Sequence, residues 1–64
     1  MSLKAIKTVG KVEEGKYYKV KLIIPSTKLV KLVDEDNKLM PGAYDPNVVF
    51  GKSLVEIAKI VSLI

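Results

Sequence analysis

The chain contains no cysteine and no histidine, and it also lacks tryptophan, arginine and glutamine. Each absence excludes something. Without cysteine there are no disulfides and no thiol nucleophile, and without histidine as well the usual zinc ligands are gone. The common catalytic triads and histidine acid–base pairs are excluded on the same ground. Without arginine, no side chain offers the planar fork that grips phosphates and guanine edges in two places. Long apolar runs are missing too. The stretch near the C-terminus is interrupted by Glu56 and Lys59, well short of the ~20 residues that cross a bilayer. Met1–Val12 lacks the apolar core of a signal peptide. The expectation is a cytoplasmic protein with no membrane association.

What remains is apolar and basic. The 64 residues allow one domain, 1–64, and a domain of that size buries only roughly 60% of its unfolded surface. Hydrophobic residues nevertheless make up 48% of the chain, and the mean hydropathy is +0.22. Some apolar surface should therefore stay uncovered in a single copy, which favours a homo-oligomer or docking on a larger complex. The 11 basic residues, all lysine, outnumber 7 acidic ones and give a net charge of +4. Lysines attract a phosphate backbone without reading its sequence, and such attraction weakens with salt. An Ile/Val/Lys-rich chain also has a thermophile-like composition.

Periodicity divides the chain. Leu3–Val12 reads as a strand. Tyr17–Ile24 alternates, with Tyr18, Val20, Leu22 and Ile24 on one face, until Pro25 ends it. Lys28–Val33 reads as a shorter strand, Asp34–Asn37 as a polar turn, and Lys38–Met40 as a brief return. Pro41-Gly42 and Asp45-Pro46-Asn47 are turn signals, and Val48–Phe50 reads as extended. From Ser53 the period becomes helical, with Leu54, Ile57, Ala58, Val61 and Ile64 in register. Ser53 and Glu56 have the spacing of a capping box. Val55 and Leu63 flank the polar stripe, so they are candidate interface residues for a second copy or a partner. The fold class is α+β: a small antiparallel sheet of three to five strands from two consecutive β-hairpins, with one C-terminal amphipathic helix packed on one face.

Glu13-Glu14-Gly15 fits a three-residue hairpin loop. That loop pairs Val12 with Lys16, Lys7 with Lys21, Val9 with Lys19 and Lys11 with Tyr17. One face then gathers Lys7, Lys11, Lys19 and Lys21 around Tyr17, a flat basic surface with an aromatic ring able to stack on a base. The competing reading is a solvated face whose lysines protect the sheet from aggregation.

Other motifs carry less. Gly51-Lys52-Ser53 has the last residues of a phosphate-binding loop, but Pro46 stands where that loop needs a glycine. The plain reading is a serine-capped helix. Asp34, Asp36 and Asp45 loosely match the start and end of a calcium loop, but Lys38 occupies the third ligand position and Leu39 the invariant glycine position, so a solvated acidic turn is the plainer reading. The carboxylate pairs Glu13/Glu14 and Asp34/Asp36 fall in turns, where nothing desolvates them into acid–base partners. No cofactor is implied and no enzyme is expected. The expectation is a small basic module that binds RNA or DNA backbone, alone or within a ribonucleoprotein assembly. The alternative is a protein-interaction or self-assembling module built on the C-terminal helix.

Overall fold

The computed structural model describes residues 1–62. A three-stranded antiparallel sheet and two short helices make it an α+β fold. The strands are β1 (Leu3–Lys4), β2 (Tyr17–Ile24) and β3 (Leu29–Val33), in the spatial order β1-β2-β3. The helices are α1 (Pro46–Phe50) and α2 (Leu54–Ser62).

The N-terminal pairing departs from the loop expected at Glu13-Glu14-Gly15. Leu3 lies opposite Tyr18 and Lys4 opposite Tyr17, and the Ala5 amide donates to the Lys16 carbonyl at 2.8 Å. Residues 6–15 leave the sheet as an excursion. It contains its own tight turn, in which Val9 and Val12 bridge across Gly10-Lys11. Gly10 has φ +56°, so the first central position takes the left-handed conformation that glycine tolerates best. A second tight turn follows, in which the Lys16 amide donates to the Glu13 carbonyl at 3.2 Å and Gly15 has φ +91°. Val12, between the two turns, is fully buried.

β2 and β3 join through residues 25–28, and the Lys28 amide closes the turn onto the Ile24 carbonyl at 2.8 Å. Their register shifts partway: Lys19 and Val20 face Val33 and Leu32, whereas Leu22, Ile23 and Ile24 face Lys31, Val30 and Leu29. Lys21 is the extra residue, a β-bulge. The bulge resets the side-chain period, so Lys21 and Leu22 are both exposed. Unbroken alternation places Leu22 and Ile24 inward with Tyr18 and Val20. In the structure Ile23 instead lies opposite the fully buried Val30, and directly opposed residues share a face.

Beyond β3, the chain stays beside it through single bridges, Leu39 to Val33 and Tyr44 to Val30. Asp34 organises the turn between them, its Oδ1 accepting from the Asp36 and Lys38 amides at 2.9 Å each. Val48–Phe50, read as extended, is the end of α1. Asp45 caps this helix by accepting from the Asn47 amide at 2.9 Å, and Pro46 occupies its first turn. Gly51 ends it at φ +65°. A Cβ there would sit 3.2 Å from Ile6 Cδ1, so this glycine serves both the left-handed turn and the approach of the excursion. A cap, a first-turn proline and a glycine stop outweigh the β preference of two valines.

The core joins Leu3, Ala5 and Val12 to Tyr18, Val20, Val30 and Leu32, with Met40, Tyr44, Val49, Phe50 and Ile57 completing it. Tyr18 and Tyr44 keep their hydroxyls satisfied. The Glu13 amide donates to Tyr18 Oη at 2.9 Å, and Tyr44 Oη donates to the Pro41 carbonyl at 2.7 Å. At α2 the capping box forms in both directions: the Ser53 amide reaches Glu56 Oε1 at 3.0 Å and the Glu56 amide reaches Ser53 Oγ at 3.2 Å. Ile57 is buried, with Leu54, Ile60 and Val61 packed against the core, while Ala58 is exposed.

Candidate nucleic-acid interface

The outer face of the β2–β3 hairpin is laid down by its register. Val20 and Leu32 oppose each other in the core, so their neighbours Lys19 and Val33 lie on the other side. Above them Tyr17 faces Lys4, and Leu39 continues the Lys19–Val33 row. Below, Leu22 faces Lys31 and Ile24 faces Leu29. Three successive rows thus set a lysine beside an apolar or aromatic side chain. Tyr17 is 46% exposed, Leu22 45% and Leu39 58%.

Five residues stood as candidate nucleic-acid contacts. Tyr17, Lys19 and Lys21 lie along β2, and all three are exposed. Lys7 and Lys11 belong to the excursion and are also exposed. The cross-strand pairs Lys7–Lys21, Val9–Lys19 and Lys11–Tyr17 do not form, because β1 meets β2 in another register. Lys4 takes the position across from Tyr17. Lys11 still comes to Tyr17 by a different route, since both line a hollow of about 230 Å³ at the upper end of the sheet.

Charge is distributed unevenly around this face. Residues 17–33 contain Lys19, Lys21, Lys28 and Lys31 and no carboxylate, which equals the +4 net charge of the whole chain. Acidic residues flank them on both sides in sequence, at Glu13-Glu14 and at Asp34-Glu35-Asp36. Both flanks meet at the upper end, where Glu13, Asp34, Glu35 and Asp36 line the hollow with Lys11, Lys16 and Tyr17. The Tyr17 amide donates to Glu35 Oε1 at 3.4 Å. Tyr17 therefore stands at the border between an acidic end and a lysine-only surface.

The available donors differ among the lysines. Lys16 is tied to Glu13 in an ion pair, and that hydrogen bond and charge raise the Lys16 pKa. Lys31 Nζ donates to the Gly42 carbonyl at 2.6 Å, which leaves two of its three ammonium protons for other acceptors. Lys28 sits at the hairpin tip with φ +59° and is exposed. Lys28 and Lys31 were missed by reasoning from pairs of strands. The signal that finds them is simpler: a stretch of the sequence with four lysines and no acid.

The two interface candidates fall differently. Val55 on α2 is 66% exposed, and Leu63 lies outside the described residues. Among the described residues, no group of three or more potential ligands is placed to hold a metal ion. Nor is any helix long and apolar enough to cross a membrane. No family model, curated protein or solved structure matches this chain.

Proposed function

We propose that this protein is a small non-enzymatic module that holds nucleic acid, free or within a ribonucleoprotein assembly, by its phosphate backbone. The β2–β3 hairpin is the binding surface. The observation that carries this is the carboxylate-free run from Tyr17 to Val33, whose Lys19, Lys21 and Lys28 are exposed and whose Lys31 keeps free donors. Lys7 and Lys11 on the excursion add positive charge from the side. With lysine alone as the cation, recognition is of charge and shape rather than of base sequence.

Fluorescence anisotropy with labelled single-stranded RNA and duplex DNA tests this directly, at low and near-physiological salt. Binding in the micromolar range that weakens steeply with salt is the expected result. Absence of binding even at low salt would leave the lysines as solubilising charge.

A second reading is favoured by Val55, a large apolar side chain left 66% exposed on a helix whose opposite side holds the buried Ile57. In that reading α2 covers one face of the sheet through Ile57, and Val55 meets a second copy or a partner protein. Sedimentation of Val55→Asp beside the unaltered chain separates the two readings: a change of oligomeric state assigns the helix, and no change leaves it to the fold.

A further inference from the structure

The apolar residues between the lysines bear on which form of nucleic acid the face takes. A duplex turns its phosphates outward and keeps its bases stacked inside. Against such a surface, only the lysines of the β2–β3 hairpin have something to contact. Tyr17, Leu22 and Leu39, about half exposed in successive rows, would be left against charged backbone. An unpaired strand presents both chemistries together. Its phosphates suit the lysines, and each unstacked base offers a flat apolar face to the neighbouring ring or aliphatic chain.

Resting on the function proposed above, we infer that the ligand of this face is single-stranded nucleic acid, bound with its backbone along β2 and a base stacked on Tyr17. β2 has eight residues, a length on the order of 25 Å at about 3.3 Å per residue. That suits a short site of roughly four nucleotides, the low end for small single-strand binders. The hollow limits the site at its upper end: Lys16 is paired with Glu13, and Asp34, Glu35 and Asp36 outnumber Lys11, so a phosphate carried beyond Tyr17 meets net negative charge. Polarity along the strand follows: phosphates track towards Lys28, and the stacked base lies at Tyr17.

The test compares one labelled oligonucleotide as a single strand and as a duplex with its complement, against the unaltered chain, Tyr17→Ala and Tyr17→Phe. Phosphatidylserine vesicles serve as a third ligand. The single strand should bind at least tenfold more tightly than the duplex. Tyr17→Ala should weaken single-strand binding by fivefold or more and leave duplex binding unchanged, and Tyr17→Phe should restore it. Thermal melting of each variant checks the fold, and Tyr17 is exposed enough for truncation to be tolerated. Equal affinity for both forms, with Tyr17→Ala neutral, would overturn the single-strand assignment while the backbone-binding function stands. Binding to neither form would defeat that function itself. Binding to vesicles alone would assign the face to an anionic lipid surface and overturn both.

Discussion

The two sides of the β2–β3 hairpin share one backbone and have opposite chemistries. The inner side carries Tyr18, Val20, Val30 and Leu32, all buried, and no charge. The outer side carries every lysine of the hairpin strands, with Tyr17, Leu22 and Val33 between them. The inner side is what a 64-residue chain needs in order to fold at all. The outer side contributes no fully buried side chain to that core. This apolar, carboxylate-free side is the one that the proposed function assigns to a ligand.

Breaking the inner side should have the largest effect. Leu32 is fully buried between Val20 and the rest of the core, and Leu32→Ala should cost roughly 2–5 kcal/mol. A domain of this size has on the order of 3–10 kcal/mol in total. Urea unfolding should show a sharply lowered midpoint, or a chain already unfolded at room temperature.

Next in size is truncation on the two sides of the bulge. Ile23 lies opposite Val30 and packs against the core, so Ile23→Ala should cost about 2 kcal/mol. Leu22→Ala, on the exposed side, should cost well under half of that, read from the same unfolding curve. Equal costs at the two positions would mean that the bulge does not set the division between the two faces.

The bulge also marks where the sequence stops being legible. Alternation in Tyr17–Val20 correctly sorted Tyr18 and Val20 inward from Tyr17 and Lys19 outward. Nothing local announces that Lys21 will be skipped, because the shift is decided by which of Leu22 and Ile23 fits against Val30. The same holds for β1. The loop signal at Glu13-Glu14-Gly15 implies one pairing, but the chain turns twice, at Gly10-Lys11 and at Glu14-Gly15, before Lys16 meets Ala5. Local signals were reliable where they act on neighbours, as in the reciprocal bonds of Ser53 and Glu56. They misled at Asp45-Pro46, where a helix start was taken for a turn although Gly51 supplied the matching stop. The basic surface was visible in composition, but its membership was not, since Lys7 and Lys11 lie off the strand and Lys28 and Lys31 lie on the hairpin.

A smaller effect is expected at α2, away from both sides of the hairpin. Ser53→Ala removes the cap and should cost about 1 kcal/mol, seen as a modest drop in melting temperature. The Ser53 amide and hydroxyl hold the Glu56 carboxyl below its ordinary pKa. A depressed carboxylate pKa contributes stability that is present above the unfolded value and lost as pH falls through the folded one. The acid limb of the stability profile, below about pH 4, should therefore be shallower in Glu56→Gln. An unchanged limb would mean that the capping box adds no acid sensitivity.

The most direct test of the lysine surface is the salt dependence of single-strand binding, before and after Lys19→Glu with Lys21→Glu. Four lysines meeting four phosphates predict a slope of log K against log salt of about −3. The double reversal should lower affinity more than tenfold and flatten the slope, with the melting temperature nearly unchanged because both side chains are exposed. Binding that survives the double reversal at the original slope would contradict the account.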